Sequence, residues 1–261
     1  MSLLDRKVAL VTGALSGISR QTATLFATEG ARIVLFDLGD RSRDADETVD
    51  EVLATIPNET HFVRGDVSKP ADVDRAFAAA VDRFGSVDVV FNGAGLNLFK
   101  PIAEITEADY DLTMAVNAKG TFLMCQRAIA QMLTQPKRGV IVNVASNFAF
   151  VAEPTASVYC ATKGAVISMT KALAVEVGNE GIRINALCPG ATKTAINREH
   201  RQRPEVIESW SQKTPLRQVG RDEFLGLAEE IARSALYLAS DYWSNYMTGA
   251  ALLVDGGWNA H

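Results

Sequence analysis

Short apolar runs alternate with helical stretches along the chain, and this alternation restricts the fold more than any other feature of the sequence. The first run, Lys7–Thr12, stops at Gly13 and is followed by a helical stretch through Phe26. The later runs are Arg32–Phe36, His61–Arg64, Val87–Phe91, Gly139–Ala145, Gly181–Leu187 and Ala250–Val254. Strands that alternate with helices favour a parallel sheet with right-handed crossovers. We therefore predict an α/β fold with a Rossmann-like, doubly wound, mainly parallel seven-stranded sheet and helices on both faces.

Length and composition limit the number of domains and the classes of partner. A chain of 261 residues without a linker or a shift in composition suits one domain over residues 1–261. A net charge of -5 gives no reason to expect nucleic acid, and no apolar run approaches the ~18 residues of a membrane span. The scattered cysteines and few histidines predict no metal site. Without an apolar signal region at the N-terminus, we expect a cytoplasmic protein.

The turn after the first strand is typical of a dinucleotide site. It contains Gly13, Ser16, Gly17 and Ile18. The glycines let the backbone approach a pyrophosphate, and the N-terminus of the following helix faces its charge. The second strand leads into Asp37, whose carboxylate can accept hydrogen bonds from a ribose diol and repels a 2′-phosphate. This pattern favours NAD over NADP, and the nearby Arg41 and Arg43 either soften that preference or belong to a solvated helix start.

Polar and small residues also follow the third and fourth strands. They are Asp66 and Val67 after the third strand, and Asn92, Ala94 and Gly95 after the fourth. The carboxyl ends of parallel strands meet at one edge of the sheet, where ligands bind. We therefore expect these residues to bring backbone and polar side chains against the adenine and the adjoining ribose.

One long helix is predicted from Thr106 to Leu133, with Thr106 as its N-cap and Asp109 three residues later. Asn117 interrupts the apolar spacing of this helix. A buried amide needs partners for its donors and for its acceptor. Asn117 therefore either ties backbone together or holds a water molecule.

Tyr159 and Lys163 are a candidate acid/base pair. They lie one helical turn apart, so a helix brings the phenol and the ammonium to the same face. Free tyrosine releases its proton near pH ~10, and a nearby positive charge favours the phenolate. On their own, such pairs are more often the edge of a core and a solvated tip. Ser146 ends the apolar run Gly139–Ala145, however, which predicts its hydroxyl at the ligand-binding edge of the sheet.

The helix that carries Tyr159 also has a second uncharged face, made mainly of small residues. This face consists of Ala161, Ala165, Ser168, Ala172 and Val175. Its own sheet cannot cover both faces of the helix. We therefore predict a homo-oligomer, a tetramer built as a dimer of dimers, with this helix in a two-fold interface.

The chain turns polar and basic from Ala195 to about Gly220. Loops of this length are usually functional or mobile. Residues 191–226 are predicted as a substrate loop or lid, with a solvated loop as the alternative, and Arg198 and Arg201 hint at an anionic or polyhydroxylated substrate. Candidate pocket residues, chosen because most of them follow strand ends, are Leu96, Asn97, Ser146, Asn147, Phe148, Glu153 and Tyr159.

Together these residues resemble the short-chain dehydrogenase/reductase family from about Lys7 to Gly257. The matching motifs are Thr12-Gly13-x-x-x-Gly17-Ile18, Asn92-x-Ala94-Gly95, Asn117, Ser146, Tyr159-x-x-x-Lys163, Pro189-Gly190 and Asp255-Gly256-Gly257. Three positions depart from the family pattern: Ser19 replaces its third glycine, Gly93 stands where a second asparagine is usual, and Thr192 stands where an aliphatic residue is common.

The resemblance implies a role for each matching residue. Tyr159 would be the catalytic acid/base, Lys163 would hold the nicotinamide ribose and lower the tyrosine pKa, and Ser146 would hydrogen-bond the substrate oxygen. Asn117 would hold a water linked to the lysine. Further cofactor contacts are expected at Pro189, Gly190, Thr192 and Thr194, the last of which would reach the amide or the pyrophosphate.

The expected reaction is hydride transfer between NAD(H) and a secondary alcohol or ketone. Two alternatives remain open at this point. One is an NADP-dependent reductase of carrier-bound 3-oxoacyl groups, against which Asp37 weighs. The other is a cofactor-binding regulator without catalysis, because a fold alone does not establish function.

Overall fold

The computed structural model describes residues 2–216 and 224–260, and within these residues seven strands form one parallel sheet. The strands of the chain are β1 (Val8–Thr12), β2 (Arg32–Asp37), β3 (Thr60–Arg64), β4 (Val89–Asn92), β5 (Val140–Val144), β6 (Arg183–Pro189), β7 (Thr192–Lys193), β8 (Gly226–Leu227) and β9 (Ala251–Val254). The sheet has the order β3-β2-β1-β4-β5-β6-β9, and its pairings are all parallel. The predicted seven-stranded, doubly wound sheet is confirmed.

Helices cover both faces of this sheet. They are α1 (Gly17–Thr28), α2 (Val49–Thr55), α3 (Pro70–Phe84), α4 (Glu107–Met114), α5 (Thr121–Leu133), α6 (Ser157–Val177), α7 (Arg198–Arg201), α8 (Pro204–Lys213) and α9 (Ala228–Ala239). One apolar cluster joins the sheet to α1 and α9, and a second joins its other face to α3, α5 and α6. The central strands are apolar on both sides because both of their faces are covered. Among the described residues, no helix is both long enough and apolar enough to cross a bilayer.

The strand order reverses between β1 and β4, and this reversal sets the position of the site. β1 pairs with β2 on one side and with β4 on the other, so the connections that follow β1 and β4 diverge to opposite faces. In open parallel sheets, a crevice forms at this point beyond the carboxyl ends of the strands. The glycine turn after Thr12 and the tip after Asn92 flank that crevice.

The long helix predicted from Thr106 to Leu133 is interrupted. Its cap is confirmed, because the Thr106 hydroxyl accepts from the Asp109 amide and the Asp109 carboxylate accepts from the Thr106 amide. Residues Ala115–Gly120, however, form a π-helical segment between α4 and α5. Such segments are frequent at functional sites, and this one contains Asn117.

The polar segment after Ala195 is also more regular than expected. Where the sequence analysis predicted a loop, α7 and α8 form, and Pro204 at the first turn of α8 suits a helix start. The segment 191–226 is closed at its base, since β7 pairs with β8 in a small parallel sheet. Residues 217–223 of the predicted lid lie outside the described part of the chain.

Candidate active site

A cavity of about 410 Å³ lies beyond the carboxyl ends of the strands. Its wall includes the segments after β1, β2, β3, β4, β5 and β6. The predicted site residues on this wall are Gly13, Ser16, Gly17, Ile18, Asp37, Asp66, Val67, Ala94, Gly95, Asn97, Ser146, Asn147, Tyr159, Lys163, Pro189, Gly190, Thr192 and Thr194. Asn92, Asn117 and Glu153 lie off the wall. The cavity therefore gathers most of the candidate residues at one place.

The glycine turn fits close to its neighbouring strand tip. Gly13 has a φ of +66°, and a Cβ there would lie 2.9 Å from the Cα of Ala94. Thr12 ties the same two segments together, because its hydroxyl accepts hydrogen bonds from the amides of Gly93 and Ala94, both at 3.0 Å. The N-terminus of α1 begins at Gly17 on the cavity wall. These features fit the pyrophosphate of a dinucleotide, which needs close backbone approach and a positive helix end.

Asp37 is held in a fixed orientation at the β2 end of the cavity. Its two carboxylate oxygens accept hydrogen bonds from the amides of Leu15 and Gly39, each at 3.0 Å. The loop after it folds back over the helix start, because the Asp44 carboxylate accepts from the Gly17 amide at 2.6 Å. A negative group therefore lies at the end of α1 that favours anions.

The side chain of Asn92 points into a buried polar network instead of the cavity. Its amide donates to Asn143 Oδ1 at 2.8 Å, and Asn143 in turn donates to Thr170 Oγ1 at 2.9 Å. Cys125 joins the same network, and burial raises the pKa of its thiol to about 12. The prediction that Asn92 contacts the cofactor therefore gains no support from its side chain, which links β4 to β5 and α6.

Asn117 ties backbone together, one of the two roles left open by the sequence. Its Oδ1 accepts from the Leu96 amide at 2.8 Å, and its Nδ2 donates to the Leu96 carbonyl at 2.9 Å and to Thr162 Oγ1 at 3.1 Å. The amide thus fixes the segment after β4 against α6. Gly95 lies between Asn117 and Lys163, because a Cβ at Gly95 would be 3.3 Å from Asn117 Oδ1 and 3.8 Å from Lys163 Nζ.

Tyr159 and Ser146 form the centre of the site. Burial of the phenol raises the pKa of Tyr159 to about 12, and the Ser146 side chain partly opposes this shift. With this pKa the tyrosine is the neutral phenol that can return a proton in reduction, whereas oxidation requires its phenolate. The Ser146 hydroxyl also accepts from the Phe148 amide at 3.1 Å, which fixes its oxygen at the end of β5.

Lys163 lies near Tyr159 and bonds to the backbone of β5. Its ammonium donates to the Val144 carbonyl at 2.8 Å and lies 5.7 Å from the centroid of the Tyr159 ring. Burial lowers the pKa of Lys163 to about 8, partly opposed by the nearby Cys188. The ammonium is directed to backbone, and the lowering of the Tyr159 pKa by Lys163 stays a prediction.

The basic side chains of the segment 191–226 serve local structure where they are described. Arg198 donates to the carbonyls of Arg43 and Asp44, and Arg201 donates to Asn197 Oδ1 at 2.8 Å. Glu153, a predicted substrate contact, is paired with Lys213 at 2.7 Å. Its carboxylate therefore joins α8 to the segment before α6 instead of facing the cavity.

Comparison with known proteins gives the family. A family model described as Enoyl-(Acyl carrier protein) reductase matches residues 13–259. A crystal structure of a short-chain type dehydrogenase/reductase from Mycobacterium marinum superimposes with a TM-score of 0.88 at 29% identity, covering 99% of this chain and 97% of that one. The chain belongs to the short-chain dehydrogenase/reductase family.

Two of the relatives match this chain over nearly its whole length. A 2-(R)-hydroxypropyl-CoM dehydrogenase of Xanthobacter autotrophicus is 36% identical, with 97% of this chain and 99% of the relative covered. A D-threitol dehydrogenase of Mycolicibacterium smegmatis is 37% identical, with 98% and 94% covered. The protein is thus an oxidoreductase that acts on CH–OH groups with a nicotinamide cofactor, NAD or NADP.

Two departures from the pattern of this family compensate each other. Ser19 is buried in the first turn of α1, and a Cβ at residue 93 would overlap its hydroxyl. The extra hydroxyl at Ser19 is therefore accommodated because residue 93 is glycine. Considered alone, each residue departs from the family pattern. Together, the Ser19 hydroxyl occupies the space that glycine leaves at residue 93.

The sequence analysis missed a set of apolar residues on the cavity wall. They are Phe99, Leu112, Val116, Ile196 and Trp210. Trp210 carried a signal, since a lone tryptophan in a polar, basic stretch must bury its ring somewhere. Phe99 carried none, because its place depends on how the segment after β4 folds over α6.

Proposed function

We propose that the protein is an NAD-dependent dehydrogenase that transfers hydride between a secondary alcohol and the nicotinamide C4, with Tyr159 as acid/base. The grouping of Tyr159, Ser146 and Lys163 on the wall of a cavity that also contains the glycine turn carries this proposal. The residue types suit the reaction, because removal of hydride from a carbinol carbon requires that the hydroxyl proton also leave.

The residues of the chain supply position and proton transfer. The bound nicotinamide supplies the redox chemistry. Ser146 Oγ orients the substrate oxygen, and the Tyr159 hydroxyl moves the proton: the phenolate accepts it in oxidation and the phenol returns it in reduction. Lys163 would hold the nicotinamide ribose, and Asn117 keeps the segment around Gly95 in place beside it.

The test of this proposal is Tyr159→Phe. We expect its turnover to fall by about 100-fold or more, the effect of losing an acid/base group, while NADH affinity changes little. Tyr237→Phe, on α9, is the matched control and keeps full activity. Measurement follows NADH absorbance with a good substrate. Near-normal turnover of Tyr159→Phe would contradict the assignment, and turnover by neither the wild type nor the variants, with NADH still bound, would favour a regulator without catalysis.

The preference for NAD rests on Asp37. Because two backbone amides fix its carboxylate on the cavity wall, a 2′-phosphate at this end would meet a fixed negative charge. We expect NADH to bind at least about tenfold more tightly than NADPH, which equilibrium fluorescence titration measures. Equal affinities would refute the preference.

A second candidate is an NADP-dependent reductase of carrier-bound 3-oxoacyl groups. The description of the matching family model, Enoyl-(Acyl carrier protein) reductase, supports a carrier-bound substrate, and Arg41 and Arg43, which line the cavity near Asp37, support NADP. Tighter binding of NADPH, together with turnover of a 3-oxoacyl thioester, would select this function.

We also propose a cytoplasmic homotetramer with residues 191–226 as its substrate lid. The small-residue face of α6 supports an oligomer, because Ala161, Ala165, Ser168, Ala172 and Val175 are all exposed in the single chain. Its cysteines are all described and unpaired, which suits a reducing compartment. Light scattering at micromolar concentration tests the assembly, and a monomeric mass would refute it. Ala165→Glu introduces a charge on this face, and its oligomer should therefore be weaker than that of the wild type.

A further inference from the structure

The two ends of the cavity differ in chemistry. Asp37, Arg41 and Arg43 line the end beside β2, where charged groups can contact the adenosine part of a cofactor. Aromatic rings surround the opposite end. There the rings of Phe99 and Phe148 each lie 6.3 Å, centroid to centroid, from the ring of Tyr159. A substrate whose oxygen reaches the Tyr159 hydroxyl lies beside these two rings, which share the cavity wall with the tyrosine.

Phe99 and Phe148 form a corner of defined shape. Their ring centroids are 6.5 Å apart and their planes meet at 84°. Such a corner offers one ring face and one ring edge, which are the two surfaces that a third aromatic ring prefers to contact. Trp210 adds a third aromatic side chain to the wall, and Leu112 and Ile196 add aliphatic surface.

A second layer of rings holds this corner in place. His200 stacks on Phe99 with centroids 4.1 Å apart and planes 12° apart. The ring centroid of Trp258 lies 5.7 Å from that of Phe148 and 6.2 Å from that of Trp210. Because the side chains behind the wall restrict the rings in front, little side-chain entropy remains to be lost when a ligand binds.

This end of the cavity has no cation directed at a substrate among the described residues. Lys163 donates to the Val144 carbonyl, and Lys213 is paired with Glu153. Arg198 and Arg201 bond to backbone carbonyls and to Asn197. A carboxylate, sulfonate or phosphate near the carbinol would lose its water without meeting a cation among the described residues, which is costly.

We propose that the substrate is an uncharged secondary alcohol, or the matching ketone, whose carbinol carbon carries an aromatic ring seated in the corner of Phe99 and Phe148. This inference rests on the proposed function. In the oxidative direction the carbinol carbon gives hydride to NAD and its hydroxyl gives a proton to the Tyr159 phenolate, which releases it to solvent, so the products are an aryl ketone, NADH and a proton.

Matched substrates test the inference with the wild-type protein and NAD. The probes are 1-phenylethanol, 2-butanol and mandelate; 2-butanol replaces the ring by an ethyl group, and mandelate replaces the methyl group by a carboxylate. We expect kcat/KM for the preferred enantiomer of 1-phenylethanol to exceed that for 2-butanol by about 30-fold, from the larger apolar area buried. We expect it to exceed that for mandelate by about tenfold or more, because the carboxylate is unpaired.

Variants of the corner identify the residues responsible. Phe99→Leu and Phe148→Leu should lower kcat/KM for 1-phenylethanol about tenfold more than for 2-butanol, mainly through KM. Phe150→Leu, an exposed residue off the cavity wall, is the control and leaves the ratio of the two substrates unchanged. Unchanged NADH affinity verifies that each variant is folded. If the leucine variants do not fold, the substrate ratios of the wild type decide the matter.

The outcomes separate this inference from the proposed function. Turnover of 2-butanol, threitol or mandelate with kcat/KM equal to or above that of 1-phenylethanol would overturn the aromatic preference and leave the dehydrogenase intact. Turnover of no alcohol or ketone would refute the proposed function. In that case, binding of acetophenone in preference to 2-butanone by the NADH complex, measured by tryptophan fluorescence, would still support the corner, and the reverse order would overturn it.

Discussion

Thr12 connects the glycine turn to the strand tip at the middle of the cavity, and its replacement by valine tests that connection. Valine has nearly the same shape but no hydroxyl. In the wild type, the Thr12 oxygen accepts from the amides of Gly93 and Ala94, both at 3.0 Å, and the residue is 1% exposed. Thr12→Val leaves both donors without this acceptor.

The expected loss of stability follows from these two contacts. A buried donor left without a partner costs about 1–3 kcal/mol. Both amides are only partly buried, so the lower part of that range applies to each, and the free energy of unfolding should fall by about 2–3 kcal/mol. Thr12→Ser keeps the oxygen and loses one methyl group, which should cost about 1 kcal/mol. Serine should therefore be the milder substitution, although valine preserves the shape.

Urea unfolding of the wild type and both variants, at one protein concentration, measures this order. NADH titration of the same samples reports whether the tip moves, since Ala94 and Gly95 line the cavity. We expect the affinity of Thr12→Val for NADH to fall and that of Thr12→Ser to stay near the wild-type value. A valine variant at least as stable as the serine variant would refute the reasoning, because shape rather than the shared acceptor would then hold the two segments together.

Three further predictions concern the same cavity. Gly93→Ala should destabilise the protein, because its Cβ overlaps the Ser19 hydroxyl and crowds the Phe91 ring. In urea unfolding, adding Ser19→Gly should recover part of the lost stability, and additive effects of the two changes would contradict the coupling. Asp44→Asn should bind NADH about twofold to fivefold more tightly in fluorescence titration, since it removes a negative charge from the N-terminus of α1, whereas Asp50→Asn on α2 should change little; equal affinities in all three proteins would refute this role. Between pH 8 and 10, the free energy of unfolding of the wild type should rise by up to about 1 kcal/mol per pH unit more than that of Lys163→Met. The sign follows because burial lowers the pKa of Lys163 to about 8, so the unfolded chain binds the proton that the native chain has released, and parallel pH profiles of the two proteins would contradict it.

The strand pattern and the glycine turn carried enough information to predict the sheet, its strand number and the edge where the cavity lies. Runs such as Val8–Thr12 are apolar on both faces, and only a sheet covered on both sides satisfies them. The interruption of the helix at Ala115–Gly120 could not be read in the same way. Asn117 interrupts the apolar spacing there but does not predict a π-helical segment, because its partner, the backbone of Leu96, is 21 residues away in the chain.

In the candidate site, too, local sequence predicts the positions of residues but not the properties that depend on burial. Tyr159, Ser146 and Lys163 could be predicted because their positions follow from helical spacing and from the end of one strand. The state of their protons could not, because it depends on burial: the sequence suggested that Lys163 lowers the pKa of Tyr159, whereas desolvation raises it to about 12.

Ser19 and Gly93 show why residue patterns alone misjudge such a site. A pattern scores each position independently, and both residues then count against a cofactor turn. In three dimensions the Ser19 hydroxyl lies where a side chain at residue 93 would begin, so glycine at residue 93 makes room for the serine. The aromatic corner also depends on a contact between distant residues. The His200 ring on α7 stacks on Phe99, although the two residues are more than a hundred positions apart in the chain. Because these pairs join different elements, we expect substitutions of His200 on α7 to alter substrate choice without touching the substrate.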